Sequence, residues 1–151
     1  MNVTMMEPQH IPQVAALEKL CFSDPWSEKS VAGELQNALS LWLVALEGET
    51  VVGYVGSQTV LGETDMMNLA VHPDFRRKGI AEALVTALVE ALKERGSRCL
   101  TLEVRESNVP ARNLYEKLGF RQIGLRKQYY RNPRENALIL RKEWEIEHFS
   151  H

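Results

Sequence analysis

The clearest pattern along the chain is a run of apolar residues at helical spacing, which follows a strand-like segment and a basic loop. Leu84, Val85, Leu88 and Leu92 recur on one side of a helix, and polar residues occupy the other side. Gly96 follows the last of them and is a typical C-terminal stop. The pattern predicts an amphipathic helix over about 79–95 that packs one face on a sheet.

Weaker patterns predict three more helices and seven strands. The helices cover residues 10–21, 27–39 and 108–118, and Ser27 is of a type that caps helix N-termini. The strands cover residues 3–6, 41–46, 51–60, 64–71, 99–104, 120–130 and 137–143.

The order of these elements predicts an α+β, or mixed α/β, domain with a central mixed sheet flanked by helices. Residues 41–46 and 51–60 are joined by Glu47-Gly48-Glu49, which is a hairpin signal. The long helix crosses from strand 64–71 to strand 99–104, so these two strands are expected to be parallel neighbours. We expect the 151 residues to form a single domain, 1–151.

Composition excludes several classes of protein. The net charge of −2 argues against a general nucleic-acid binder. Cys21 and Cys99 lack CxxC spacing, so we expect free thiols, and the four histidines predict no metal site. No signal-peptide pattern and no apolar stretch of membrane-spanning length is present. We therefore expect a soluble, cytoplasmic protein without a membrane partner.

A basic loop, RRKGIA at residues 76–81, joins strand 64–71 to the long helix. Gly79 and Ala81 leave backbone N–H groups open at the positive end of the helix, which suits a phosphate group. A turn with solvated basic side chains is the alternative. The loop is not a P-loop, because no Gly-Lys-Ser/Thr follows, and a dinucleotide fingerprint needs three spaced glycines.

Three side chains are candidates for chemistry, and each has a structural alternative. Glu103 lies on the strand face opposite Leu102 and Val104. Partial burial there suits a general base, and a salt-bridged glutamate is the alternative. Tyr115 is a candidate proton donor, although its helical spacing favours the core. Asn108 is fully explained as the N-cap of the helix that it begins.

Three segments closely resemble the acyl-CoA-binding core of the GNAT N-acetyltransferases: LAVHPDFRRKGIA at 69–81, LEV at 102–104 and NVPARNLYEKLGF at 108–120. DPWS at 24–27, YY at 129–130 and ENA at 135–137 resemble the bacterial ribosomal-protein-alanine N-acetyltransferase branch. The resemblance covers nearly the whole chain. It implies a mostly antiparallel sheet with one splayed pair of parallel strands.

This resemblance implies acetyl-CoA as the acetyl donor and no metal. The loop matches the family's Gln/Arg-x-x-Gly-x-Gly/Ala pattern, whose backbone N–H groups bind the CoA pyrophosphate, with alanine where glycine is commoner. The preceding strand matches the one that pairs with the pantetheine arm. The cofactor-binding residues so implied are Leu69, Ala70, Val71, Arg76, Arg77, Lys78, Gly79, Ile80, Ala81, Glu82 and Asn108.

The resemblance further implies direct acetyl transfer to a protein α-amine, with Glu103 as base and Tyr115 as acid. The expected acceptor is the N-terminal alanine of a small-subunit ribosomal protein. Asn136 stands where this branch is expected to carry an aspartate. Two alternatives stay open: an acetyltransferase of the same fold that acts on lysine or a small-molecule amine, and a non-catalytic CoA-binding regulatory domain.

Features of the acceptor side are less specific. A basic acceptor peptide favours an acidic groove, for which Glu143, Glu145 and Glu147 are candidates. A solvated acidic tail is the alternative interpretation. We expect no direct nucleic-acid partner. The oligomeric state is open, and a monomer is favoured.

Overall fold

The computed structural model describes residues 1–145, which form four α-helices and one seven-stranded sheet. Glu147 lies outside the described residues. The helices are α1 (Ile11–Cys21), α2 (Glu28–Glu34), α3 (Ile80–Glu94) and α4 (Val109–Lys117). The strands are β1 (Asn2–Met5), β2 (Ser40–Glu47), β3 (Thr50–Val60), β4 (Glu63–Val71), β5 (Cys99–Arg105), β6 (Arg121–Tyr130) and β7 (Glu135–Glu143).

The strand order across the sheet is β1-β2-β3-β4-β5-β7-β6. Neighbouring strands are antiparallel except for β4 and β5, which confirms the predicted mixed, mostly antiparallel α+β architecture. Within the described residues, this parallel pair is in register only between Glu63–Asp65 and Cys99–Thr101. The remainder of β4 and β5, toward Val71 and Arg105, therefore has an unpaired edge along a gap.

Apolar residues are buried on both faces of the sheet, and these two cores hold the strands in place. Helix α3 contributes Leu84, Leu88 and Leu92 to the first core, each at most 1% exposed. Helices α1 and α2 cover the second core, where the Trp42 ring stacks on Tyr54 at 5.8 Å. The amphipathic pattern of α3 is thus confirmed, since its apolar side faces the sheet.

Helix α2 is shorter than its sequence pattern predicts. Its N-terminus agrees, because Ser27 Oγ accepts a hydrogen bond from the Ser30 N–H at 3.0 Å. The predicted end at residue 39 is wrong, since the helix stops at Glu34. Beyond it, Asn37 Oδ1 accepts from the Leu39 N–H at 2.9 Å. This local side-chain bond competes with helical backbone bonding and produces a turn.

The structure also settles the state of the cysteines. Cys21 and Cys99 are both free, as predicted, and Cys99 is buried. Across residues 1–145, no cluster of three His, Cys, Asp or Glu side chains could hold a metal ion. No helix in this part of the chain is long and apolar enough to cross a membrane.

Replacing Gly56 by alanine is expected to destabilise the fold, because a Cβ there would lie 2.4 Å from the Trp42 ring. Overpacking of a core costs about 1–3 kcal/mol, and urea denaturation should show a loss of that size in the free energy of unfolding. Gly33→Ala is the control, since no atom lies within 4 Å of a Cβ at that exposed helical position. It should be stabilising by up to about 1 kcal/mol. An unchanged midpoint for Gly56→Ala would contradict this packing.

Candidate active site

The basic loop between β4 and α3 begins with Arg76, whose side chain folds back onto the end of β4. Its Nε donates a hydrogen bond to the Val71 carbonyl oxygen at 3.2 Å. Its Nη2 lies 3.8 Å from Cys21 Sγ, which in turn contacts the same carbonyl at 3.9 Å. These contacts fix the start of the loop against the strand that precedes it and against α1.

Two residues of this loop have a left-handed backbone. Arg77 has φ +64° and Gly79 has φ +75°. Such a turn directs successive N–H groups into a concave cradle that suits an anion. The Ala83 N–H makes the first helical bond, to the Gly79 carbonyl at 3.0 Å. The preceding N–H groups of α3, those of Ile80, Ala81 and Glu82, are the ones that a helix leaves free at its positive end.

The flanking side chains of the loop have contacts of their own. Lys78 Nζ lies 5.2 Å from the centre of the Phe75 ring. Glu82 Oε2 accepts from Lys117 Nζ at 3.0 Å, which links the first turn of α3 to the last turn of α4. These polar side chains leave the surface above Gly79 open, and no atom lies within 4 Å of a Cβ placed there.

The strand segment before the loop lines the gap between β4 and β5. Leu69, Ala70 and Val71 pair on one side with β3. Their other edge lies beyond the last β4–β5 register pair, Asp65 with Thr101. Backbone groups on this edge are consequently available to an extended ligand that enters between the strands.

Asn108 lies at the N-terminus of α4, on the other side of the gap from α3. Its Oδ1 accepts from the Ala111 N–H at 3.2 Å, so its predicted role as an N-cap is confirmed. This cap uses only the oxygen of the side-chain amide. The Nδ2 group is not part of the cap and can serve a ligand.

Glu103 extends from the middle of β5 on the face opposite Leu102 and Val104, which are buried in the α3-side core. Its carboxylate accepts from Arg126 Nε at 3.0 Å, and the Glu103 side chain is 26% exposed. Glu103 therefore forms a salt bridge in this structure, as the alternative interpretation of the sequence predicted. The Arg126 side chain is 56% exposed, so the guanidinium can leave the carboxylate without disturbing the core.

Tyr115 lies on α4 and is buried on the opposite face of the sheet from Glu103. Its ring packs edge-on against Phe120 at 5.3 Å, and its hydroxyl donates toward Met66 Sδ at 3.9 Å. Burial, together with the nearby Tyr130, raises the pKa of Tyr115 to about 12. The phenol is therefore protonated at neutral pH and is able to donate a proton.

Tyr129 and Tyr130, which carry part of the resemblance to the alanine N-acetyltransferase branch, lie close to Glu103. Burial and the Glu103 carboxylate raise the pKa of Tyr130 to about 12, and Arg105 stacks on its ring at 4.4 Å. Hydrogen bonding to Glu103 and the charge of Glu103 raise the pKa of Tyr129. Tyr130 thus interacts electrostatically with both Glu103 and Tyr115. Sequence patterns assign these two residues no individual role, because this proximity depends on the pairing of β6 with β7.

The first two residues of β7, Glu135 and Asn136, form hydrogen bonds to the turn that leads from β5 to α4. Glu135 accepts from the Ser107 Oγ and N–H at 2.9 and 3.1 Å, and the Ser107 hydroxyl is the main cause of its lowered pKa. Asn136 accepts from the Gln128 N–H at 2.9 Å and donates to Glu106 at 3.3 Å. An aspartate at 136 would face the Glu106 carboxylate without a proton to donate, which accounts for the asparagine in this chain.

Comparisons with known proteins agree with this geometry. The model of the acetyltransferase (GNAT) family matches residues 11–120. A ribosomal protein bS18-alanine N-acetyltransferase from Haemophilus ducreyi is 39% identical over 87% of this chain and 92% of its own length. The enzyme of the same name from Escherichia coli K12 is 35% identical over 92% and 95% of the two chains.

A solved structure extends the likeness to three dimensions. The crystal structure of the ribosomal-protein-S18-alanine N-acetyltransferase from Escherichia coli has a TM-score of 0.87 and 33% identity, and the match covers 99% of this chain and 96% of that one. The fold, with its splayed sheet, is that of an acetyl-CoA-dependent acetyltransferase. The chain belongs to the acetyltransferase (GNAT) family.

Replacing Gly79 by alanine is expected to weaken acetyl-CoA binding by about tenfold, because a Cβ would narrow the cradle and strain a left-handed residue. Gly96→Ala is a matched control at the other end of α3, with φ +84° and likewise no atom within 4 Å of the added Cβ. Both variants should lose about 1 kcal/mol of stability. Calorimetry should find weaker binding only for Gly79→Ala, and equal affinities would contradict the assignment of the cradle.

Proposed function

We propose that this enzyme transfers the acetyl group of acetyl-CoA to the N-terminal α-amine of a protein. The proposed acceptor is the N-terminal alanine of a small-subunit ribosomal protein, and the reaction would take place in the cytoplasm. The observation that carries the proposal is the match over most of the chain to relatives named for this reaction, at 39% and 35% identity. The candidate site lies within one chain, so a monomer suffices.

In this proposal, acetyl-CoA binds in the gap between β4 and β5 with its pyrophosphate at the N-terminus of α3. The N–H groups of residues 77–82 bind the phosphate oxygens, with Arg76 fixing the loop from behind. Asn108 contacts the cofactor from α4. The pantetheine arm pairs with the free edge of Leu69–Val71, and an N–H group of this segment points at the acetyl carbonyl oxygen.

The acceptor amine approaches from the opposite face, where Glu103 lies. Its ammonium group replaces the Arg126 guanidinium, which now lies 3.0 Å from the Glu103 carboxylate. Glu103 accepts a proton from the ammonium, directly or through a water molecule, and the neutral nitrogen attacks the acetyl carbon. A cation already paired with Glu103 supports this view, since it shows that the pocket accommodates a positively charged donor.

The thiolate leaves on the Tyr115 side of the sheet. The new C–N bond forms, the C–S bond breaks, and the electron pair of that bond goes to sulfur, while the nitrogen loses its second proton to solvent. Tyr115 donates its proton to the thiolate and is reprotonated from solvent. The pKa of about 12 keeps Tyr115 protonated until this step.

Proton chemistry favours an α-amine over a lysine side chain as the acceptor. An α-amino group with a pKa of about 8 is roughly one-tenth neutral at pH 7. A lysine with a pKa of about 10.4 is neutral in only about one molecule in a few thousand. A single carboxylate therefore suffices as the base for the first of these amines.

Removing the hydroxyl of Tyr115 tests its role as the acid. Tyr115→Phe is expected to lower kcat by about a hundredfold, because the thiolate then leaves without a proton donor. Acetyl-CoA affinity, measured by calorimetry, should stay within about twofold, because the ring still packs on Phe120. Full kcat at saturating acetyl-CoA would exclude Tyr115 as the acid.

The pH dependence of kcat provides a second test of the same residue. An acid is active in its protonated form, and a pKa raised to about 12 keeps Tyr115 in that form through the alkaline range. The wild-type kcat should therefore show no alkaline decline up to about pH 10. A decline with an apparent pKa near 9 would contradict the assignment, provided that the fold is shown to be intact at that pH.

A peptide panel tests the acceptor. Peptides that begin with a free alanine should be acetylated, and the same sequences with a blocked N-terminus and an internal lysine should not. Mass spectrometry locates the acetyl group on the product. Acetylation confined to the blocked, lysine-bearing peptides would refute the α-amine proposal and favour the lysine alternative.

A further inference from the structure

A carboxyl group that takes no part in the proposed chemistry is buried beside the site. Glu18 on α1 is 0% exposed. Its carboxyl oxygens accept hydrogen bonds from the Trp26 backbone N–H at 3.1 Å and from Asn68 Nδ2 at 2.9 and 3.0 Å. The Tyr54 hydroxyl donates a further, short hydrogen bond. We name Glu18, Trp26, Tyr54 and Asn68 the Glu18 cluster.

The Glu18 cluster joins three separate parts of the protein. Trp26 belongs to the loop before α2, Tyr54 to β3 and Asn68 to β4. Burial, then the hydrogen bond to Glu18, raises the pKa of Tyr54. The hydroxyl therefore stays protonated and remains a donor. The Trp26 backbone N–H, the Tyr54 hydroxyl and the Asn68 amide all donate to this one carboxyl group, so loss of an oxygen would leave a donor without a partner.

Asn68 lies where β4 is irregular. In the register with β3, Gly56 pairs with Asn68 and Ser57 pairs with Met66, so Met67 is an extra residue in β4. Such a bulge changes which face the following side chains point to. Met66 contacts Tyr115 on one face, whereas Asn68 contacts Glu18 on the other.

The position of this bulge determines the register of the strand that lines the gap. Leu69–Val71 follow directly after Asn68. A slip of one residue would reverse which N–H groups face β3 and which face the gap. Anchoring the Asn68 side chain on a buried carboxyl group prevents that slip, because Asn68 reaches Glu18 only from its present position.

We propose that Glu18 is a positioning residue for acetyl transfer. It holds the β4 bulge, and with it the N–H groups directed at the acetyl carbonyl, and it holds the Trp26 loop on the acceptor side. The inference rests on the proposed function, since it concerns the geometry of that reaction. Its effect acts more on kcat than on acetyl-CoA affinity, because the acetyl group and the acceptor lose alignment while the pyrophosphate cradle, which begins at Arg76, is kept.

The isosteric variant Glu18→Gln tests the inference, because an amide NH2 replaces one accepting oxygen. We expect kcat to fall by about tenfold or more, with a smaller loss of acetyl-CoA affinity, about threefold by calorimetry, because Leu69–Val71 also pairs with the pantetheine arm. Amide hydrogen exchange of residues 66–71 in the free enzyme should accelerate relative to β2. Tyr54→Phe removes only one donor and should have a smaller effect in the same direction.

The matched control is Glu34→Gln. Glu34 is another buried carboxyl group, at 8% exposure, and it accepts from Ser40 Oγ at 2.7 Å and from Asn37 and Gln58 at 3.3 Å. It has no contact with the Glu18 cluster among the described hydrogen bonds. Its variant should lose comparable stability while kcat stays within about twofold.

Two outcomes would overturn the inference. One is a Glu18→Gln enzyme that keeps kcat and the exchange rates of residues 66–71. The other is an equal loss of kcat in both variants, which would mean general destabilisation. Failure of the proposed function is recognised separately, because the wild-type enzyme would then acetylate only lysine peptides. The same comparison of variants is made on whichever peptide the wild-type enzyme accepts.

Discussion

The structure depends on the brief parallel pairing of β4 and β5. These strands are in register only from Glu63–Asp65 to Cys99–Thr101, and beyond this the sheet is open along its middle. A sheet edge in the interior of a protein normally costs free energy, because backbone groups lack partners. Here the edge is available to an extended ligand, and the N-termini of α3 and α4 both begin beside it. In the proposed function, the opening of the sheet is therefore the feature that allows acetyl-CoA to bind.

In the proposed reaction, the gap also separates the acid from the base. Tyr115 is buried on the α4 side, where its pKa of about 12 suits a proton donor. Glu103 lies on the other face and pairs with the exposed side chain of Arg126. In the proposed reaction, the thiolate leaves on one face while the amine arrives on the other. The two cores keep these faces apart, since α3 packs on one side of the sheet and α1 with α2 on the other.

Much of the fold follows from local patterns in the sequence. The apolar side of α3, the stop at Gly96, the hairpin at Gly48 and the cap at Asn108 are determined by neighbouring residues. The end of α2 is mispredicted because a local hydrogen bond of the Asn37 side chain favours a turn where the apolar pattern predicts a continuing helix. Contacts between distant residues leave no local signal: Glu18 and Asn68 are 50 residues apart, and β7 enters between β5 and β6. The roles of the candidate site residues came from family resemblance, because each side chain alone has an ordinary structural explanation.

Residue-resolved amide hydrogen exchange, with and without acetyl-CoA, tests the central claim most directly. The account predicts that the ligand protects two separate segments, residues 69–71 at the free edge of β4 and residues 77–82 at the start of α3. Exchange in β1 and β2 should be unchanged, because these strands lie at the edge of the sheet, away from the gap between β4 and β5. Protection that is absent from both segments would contradict the account.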